Sequence, residues 1–332
     1  MIDLQVTLEN IRQAAGRIRP LARVTPLLTV DDGGRPLGLK CENLQRSGAF
    51  KIRGAANMLL QLRPDQRERG VITFSSGNHG IAMSLAAQLV GCPAIVVMPT
   101  TAPAVKVDIA RALGAQIIFE GTTTIERKAR AEAEAAARGL TLMPPFDHPW
   151  IIAGQGTIGL EILEQAPAVA AVYVPASGGG LLAGVATAIK SLAPHVRVIG
   201  VEPACTPRMT RSLPAGHPVT IPGAAGVADG LLAVRPGDIT FAQIQAHVDE
   251  MVTVDDDAII DAVRWVFDRA RLVAEPSGAA SVAAALAWGK TSWSRDGASA
   301  AATVDGPIVA LISGGNVDTA AFTQYITASR QP

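Results

Sequence analysis

Residues 171–192 read AVYVPASGGGLLAGVATAIKSL. The apolar, β-branched run 171–174 has the composition of a buried strand. The glycines at 178–180 turn the chain, and 181–192 is an alanine-rich segment with the spacing of a buried helix. The wider window 166–189 carries no charge and is long enough to cross a bilayer. Pro167, Pro175 and Ser177-Gly178-Gly179-Gly180 break it, so strand, tight turn and helix is the reading. The pattern recurs along the chain. Strand-like runs at 71–74, 94–98 and 116–119 lead to helical segments at 81–90, 105–113 and 125–138, and further strands are expected at 196–201 and 307–312. Continuous apolar strands between helices predict an α/β fold of open, mostly parallel sheets covered on both faces. Ligands of such sheets bind outside the carboxyl ends of the strands. Three of those ends carry polar, glycine-rich loops: SSGNHG at 75–80, SGGG at 177–180 and SGGN at 313–316.

Composition narrows the function classes. Of 332 residues, 48% are apolar and 17% charged, which supports a large core and excludes disorder and coiled-coil architectures. The length predicts roughly two domains. Lys and Arg number 29 and so do Asp and Glu, so no basic field exists for nucleic acid or an anionic membrane, and a bound anion must be held by local geometry. Cys41, Cys92 and Cys205 are scattered and form no C-x-x-C pair. That points to the cytoplasm, with neither a disulfide framework nor a zinc site. Residues 1–20 include Asp3, Glu9 and Arg12 and lack an uninterrupted apolar core, so no signal peptide is expected. The Pro- and Gly-rich stretch 213–228 is expected to be a loop. Asp255, Asp256 and Asp257 precede a helical pattern and fit a charged first turn rather than a metal cluster.

Four short motifs carry candidate chemistry. After a strand and before a helix, the backbone N–H groups of SGGGLLAG (177–184) can cradle a phosphate without a lysine. The run does not fit G-x-G-x-x-G, because counting from Gly178 the last position is Ala183, and it is not followed by the G-K-[ST] of a Walker A loop. A dinucleotide and ATP are therefore disfavoured, while a single phosphate group is accommodated; taken alone, the run fits a tight packing turn equally well. SSGNHG offers dense donors for a carboxylate or a ring oxygen, although Asn78 or Ser76 would also serve as a helix cap. In SGAFKIRGAANML (47–59), Lys51 starts a helical pattern among Gly48, Ala49, Gly54 and Ala55, small residues that let a planar group approach with Phe50 packed against it. A lysine desolvated there can act as a Schiff-base amine, whereas a lone lysine in a first turn is usually just exposed. Ser313 ends a buried strand, either as a turn residue or as a hydrogen-bond donor into the crevice.

In their order, these motifs resemble the fold-type-II pyridoxal-phosphate enzymes of the serine/threonine dehydratase and serine racemase group. The resemblance spans nearly the whole chain: ENLQRSGAFKIRGA (42–55), SSGNHG, IAGQGTIGLEI (152–162), SGGGLLAG, VEP (201–203), ADG (228–230), EPSGAA (275–280) and SGGN. It implies two α/β domains with pyridoxal 5'-phosphate in the cleft between them, a large one from 1–59 and 149–332 and a small one from 60–148, and a homodimer. It implies that Lys51 carries the cofactor covalently, Phe50 flanks the ring, Asn78 bonds the ring hydroxyl and Ser313 faces the pyridine nitrogen. Gly178, Gly179, Gly180 and Leu181 would bind the phosphate, Ser75, Ser76, Gly77, Asn78 and His79 the substrate carboxylate, with Glu275 in a supporting role.

The reaction implied is loss of water and ammonia from a β-hydroxy α-amino acid to give a 2-oxo acid, with Lys51 as the base for the α-proton. A serine beside the pyridine nitrogen makes the ring a weaker electron sink than a carboxylate partner, which favours prompt loss of a β-leaving group. Two positions depart from the patterns of the group, one from the dehydratases and one from the racemases. Ser76 stands where many threonine dehydratases have alanine, and in the racemases a serine there is a base, so an amino-acid racemase is the alternative. The divalent metal site of the racemase type has a glutamate followed six residues later by an acid; here Glu202 is followed by Arg208, and no metal is expected. The length leaves no room for a C-terminal regulatory domain, which suggests a catabolic role. The apolar run 231–234 hints at a substrate bulkier than serine, such as phenylserine, and against an acidic one. A non-catalytic binding protein is a third reading, opposed by the intact Lys51, Asn78 and Ser313.

Overall fold

A computed structural model describes residues 4–31, 36–75, 77–102, 104–287 and 306–327. The strands are β1 (Leu27–Asp31), β2 (Pro36–Cys41), β3 (Val71–Phe74), β4 (Ala94–Met98), β5 (Gln116–Phe119), β6 (Thr141–Leu142), β7 (Ala171–Pro175), β8 (Arg197–Pro203), β9 (Glu250–Val254) and β10 (Ile308–Ile312). The helices are α1 (Leu8–Ile18), α2 (Lys51–Leu59), α3 (Pro64–Arg69), α4 (Asn78–Val90), α5 (Ala104–Ala112), α6 (Thr124–Arg138), α7 (Pro149–Gln165), α8 (Gly180–Leu192), α9 (Arg208–Ala215), α10 (Asp238–His247), α11 (Asp256–Trp265), α12 (Pro276–Ala287) and α13 (Thr319–Thr327).

Two sheets result. One has the order β1-β2-β10-β7-β8-β9 and the other β5-β4-β3-β6. Every pairing is parallel except β1 against β2, which run antiparallel with Leu27 opposite Lys40. β3, β4, β7 and β10 are buried along their whole length, as strands covered on both faces must be. In the larger sheet Val172, Val174, Val309 and Leu311 face α1, α7 and α8, while Ala171, Tyr173, Ala310 and Ile312 face α11 and α12. The strands read from the sequence lie where expected. The β1–β2 pair, β6 and β9 were not anticipated: β1, β6 and β9 are only partly buried, and β2, although buried from Leu37 to Cys41, reads PLGLKC and has no β-branched run. Asp255 caps α11 by accepting from Ala258 N, in keeping with a charged first turn. The expected loop 213–228 begins too early: α9 continues to Ala215 with Pro214 inside it and ends at Gly216, φ 73°.

Helix α7 lies between α2 and α8 in near backbone contact. A Cβ on Gly154 would sit 2.6 Å from Arg53 O and 2.7 Å from Gly54 Cα. On the other side, one on Gly156 would be 2.8 Å from Gly184 O, and one on Gly159 2.8 Å from the Ala188 Cβ. The glycines of the IAGQGTIG segment are therefore packing residues. So is Gly54, where an added Cβ would meet Gln155 at 2.4 Å and Ile151 O at 2.9 Å. The expectation that Gly54 opens space for a planar ligand is corrected: its bare backbone admits α7.

Beneath α2 lies a closed set of charges. Arg53 donates to both oxygens of Glu42 at 2.8 Å and to Glu161 at 2.6 and 2.9 Å. Lys40 Nζ reaches Glu161 at 2.5 Å and Thr25 O at 2.7 Å. Two cations meet two anions, and all four side chains are buried or nearly so. A buried pair adds little over apolar packing, but removing one partner strands the others in a low dielectric. Arg53→Ala is accordingly expected to destabilise the fold by about 3–5 kcal/mol, read as a lowered urea midpoint with the slope unchanged.

Candidate active site

β10 and β7 are parallel neighbours, so the loops after them, 313–316 and 176–179, leave the same sheet edge. The segment before α2 is stitched onto that edge. Phe50 N donates to Ser313 O at 3.0 Å, Gly315 N to Gly48 O at 2.9 Å, and Ala49 bridges Gly314. Gly48 has φ 71°, and the Asn316 side chain fills the space a Cβ there would need. This places Lys51, the first residue of α2, at the mouth of the edge.

The Lys51 ammonium has a carbonyl rather than a carboxylate partner: Nζ donates to Pro145 O at 2.7 Å and lies 5.1 Å from the centroid of the Phe50 ring. The residue is half-buried, yet dense surrounding protein strips the hydration of its amine and lowers its pKa to about 8. An amine so shifted is partly neutral near physiological pH and available as a nucleophile or base.

The glycine loop is shaped from behind. Gly179 has φ 103°, and a Cβ there would strike Thr240 at 2.8 Å; one on Gly178 would enter the Phe146 ring at 2.5 Å. Gly178 O accepts from Thr240 Oγ1 at 2.6 Å and Gly237 N at 3.1 Å. Gly180 and Leu181 open α8, and N–H groups in a first turn have no intrahelical acceptor. A cradle of main-chain donors at a helix N-terminus is a site for a phosphate-type anion.

Opposite stands the loop after β3. Asn78 is not a cap: Gly77 holds the N-cap position of α4 with no side-chain bond. Asn78 Nδ2 instead donates to Glu275 Oε1 at 2.5 Å, and its Oδ1 accepts from Asn316 Nδ2 at 2.9 Å. Asn316 also donates to Ser47 O at 2.8 Å, so one network joins the loops ahead of α2, α4 and α12 to that after β10. Glu275 is buried, and burial, reinforced by Asp229, raises its pKa to about 8, leaving the carboxyl mostly protonated at neutral pH. Ser313 is buried and its Oγ donates to Ser277 O at 3.4 Å. Ser75 Oγ accepts from Gly77 N at 3.2 Å. Ser76 lies outside the described residues.

The His79 ring turns toward the chain after β6. The ring is buried, with Nε2 3.2 Å from Met143 O and Nδ1 without a partner among the described residues. Burial, and then the charge of Lys51, hold its pKa near 3, so it is a neutral imidazole donating from Nε2. Leu231 joins the core under the larger sheet, while Leu232, Ala233 and Val234 are half-buried.

Sequence reasoning missed three contributors. Asn316 is the hub just described. Asp147 accepts from the N–H groups of Asp238, Ile239 and Thr240 at the head of α10, and so fixes Thr240 behind Gly178. Lys106 pairs with Asp229 at 2.8 Å, linking α5 to the 228–230 turn. A lone Asn, Asp or Lys carries no local signal for such long-range bonds. Taken together, a desolvated amine, an anion cradle closed to any Cβ and a buried serine hydroxyl fit a cofactor that has both an aldehyde and a phosphate.

A family model described as pyridoxal-phosphate dependent enzyme matches residues 18–313. An L-threonine ammonia-lyase of Thermotoga maritima is 43% identical over 319 residues, 94% of this chain and 76% of that protein. A serine racemase of Oryza sativa subsp. indica is 40% identical over 323 residues, covering 94% and 91%. The solved structure of maize serine racemase superposes with a TM-score of 0.89 at 38% identity over 96% of each chain.

The shifted groups predict how stability depends on pH. Folded Glu275 binds its proton more tightly than the unfolded chain does, so stability present below the ordinary carboxylate range is lost as pH rises toward about 8. His79 acts oppositely, with stability lost as pH falls from 6.5 toward about 3. From pH 6.5 to neutrality the Glu275 contribution dominates, and as pH nears about 8 the lowered pKa of Lys51 opposes it. Below that crossover the ligand-free protein is expected to lose up to about 1.4 kcal/mol per pH unit. Urea titrations of Glu275→Gln should show that slope reduced.

Proposed function

Because this chain belongs to the family of pyridoxal-phosphate dependent enzymes, we propose that it is a dehydratase, converting a β-hydroxy α-amino acid of the L-threonine or L-serine type to a 2-oxo acid and ammonia. The observation that carries the proposal is the desolvated Lys51 amine, held by a carbonyl alone, on the same sheet edge as the anion cradle.

When bound, the cofactor supplies an aldehyde for amine condensation and an aromatic ring that withdraws electrons from the substrate's Cα. The N–H groups of Gly178, Gly179, Gly180 and Leu181 bind its phosphate. Phe50 would flank the ring, Asn78, held by Glu275 and Asn316, would bond the ring hydroxyl, and the Ser313 hydroxyl would serve the pyridine nitrogen. Because Glu275 is mostly protonated at neutral pH, it adds no full negative charge beside that ring. The segment from Ser75 to His79, which leads into the first turn of α4, would bind the substrate carboxylate. His79 supports this loop from behind.

Lys51 would take the α-proton at Nζ. The β-hydroxyl would leave as water with the proton so held at Nζ, the released enamine would become an imine, and a second water would hydrolyse it to the 2-oxo acid and ammonia. We place the cofactor between a unit spanning 60–148 and the rest of the chain, in a cytoplasmic homodimer. No helix among the described residues is long and apolar enough to cross a membrane.

A racemase is the second reading. It is supported by Ser76 and by relatives named serine racemase, and opposed by Arg208 standing six residues after Glu202. Product analysis separates the two. With L-threonine, L-serine or phenylserine the purified protein is expected to release 2-oxo acid and ammonia without accumulating the D-isomer. Lys51→Ala should lose the visible absorbance of the lysine-bound cofactor and at least about 1,000-fold in turnover, within the range for covalent and general-base catalysis. D-serine as the main product from L-serine would establish the racemase instead.

A further inference from the structure

The geometry points to Arg208 as a resident cation that holds the glycine loop in its anion-binding form with no divalent metal needed there. Arg208 is wholly buried. Its Nε donates to Ser177 O at 2.9 Å, Nη2 to Ala176 O at 2.6 Å and Nη1 to Thr206 O at 2.6 Å. Glu202, equally buried, comes within 3.7 Å of Nε. Its carboxylate also accepts from Met209 N, Thr210 N and Thr210 Oγ1, each at 2.9 Å. Three carbonyl oxygens and a carboxylate converging on one positive charge resemble the oxygen shell of a hard divalent cation. Here the charge is a guanidinium, which cannot be deprotonated in a protein. No cluster of three acidic, His or Cys side chains suited to a metal exists among the described residues.

The consequence for the loop follows from the trans peptide, whose C=O and N–H point in opposite directions. Arg208 holds the carbonyls of Ala176 and Ser177 on one side of the loop. Thr240 and Gly237 hold that of Gly178. The N–H groups of Ser177, Gly178 and Gly179 therefore face away from those anchors, as successive donors of an anion-binding nest. Arg208 touches no cofactor; it is a positioning residue for the cradle. Glu202 in turn seats Arg208 by capping the helix that Arg208 begins.

This inference rests on the cofactor reading above, and the test separates their failures. Apoprotein is titrated with pyridoxal phosphate, following absorbance and protein fluorescence, and with inorganic phosphate, following thermal stabilisation. Wild-type affinities are expected to stay within twofold after chelation with EDTA or on adding millimolar Mg2+, Ca2+ or Mn2+. Arg208→Ala and Arg208→Lys should weaken both ligands at least tenfold. Arg208→Asp should be as weak without metal, and recover at least fivefold with one of the three ions, a response that a merely structural role does not produce. Wild-type affinity that falls tenfold on chelation overturns the inference, and that arm stands even where a variant fails to fold. Unchanged affinity in a folded Arg208→Ala, or a folded Arg208→Asp that is weak and unresponsive to all three ions, overturns it as well. Wild-type protein that binds inorganic phosphate but no pyridoxal phosphate sinks the cofactor reading instead.

Discussion

Helix α7 packs backbone to backbone between α2 and α8, and the candidate site depends on that contact. Lys51 is the first residue of α2, and the glycine loop runs into the first turn of α8. The distance between amine and anion cradle is therefore set by a helix that contributes no side chain to either. Gly154 admits α2 on one side, and Gly156 and Gly159 admit α8 on the other. A methyl group at any of them would overlap backbone or buried side-chain atoms and push the helices apart, and interiors this dense leave no slack to absorb the shift. Precision at the site thus comes from close packing of rigid elements rather than from the loops that bear the functional groups.

Buried charge divides into two kinds. Arg53, Lys40, Glu42 and Glu161 neutralise one another beneath α2, and Arg208 and Glu202 do so behind the glycine loop. These sets hold elements together. Lys51, Glu275 and His79 lack opposite-charge partners in direct contact, and their protonation is shifted toward the neutral form by desolvation. A mostly protonated carboxyl and a partly neutral amine are states that an exposed Glu or Lys would not hold at neutral pH. The chemistry is concentrated where charge is left uncompensated, as expected of a site whose groups must exchange protons and bind a charged ligand.

Much of this was legible in the chain. Buried parallel strands show as unbroken β-branched runs, and their glycine-rich ends mark the sheet edge where ligands bind, because each signal is carried by neighbouring residues. Local reading is ambiguous where one residue type serves two purposes. Gly54 looked like space for a ligand and proved to be space for a helix. Asn78 looked like a possible cap and proved to be a cross-link to Glu275 and Asn316. His79 shares a motif with the carboxylate-binding loop, yet turns its ring toward Met143. Leu231 has the composition of a pocket wall and packs into the core. Composition and spacing cannot separate these uses, since the deciding contacts come from elements distant in the chain.

By itself the sequence determined the alternation of strand and helix, the three polar loops and the lysine at the head of α2. Each follows from the periodicity of apolar side chains and the conformational freedom of glycine within a few residues. Tertiary structure alone decided which buried groups are compensated. It brought Arg208 under the loop at 176–178, Glu275 against Asn78 and the Pro145 carbonyl to Lys51, and it removed the water that would otherwise have solvated them. Desolvation and long-range hydrogen bonding depend on three-dimensional proximity, which no local pattern of residues encodes.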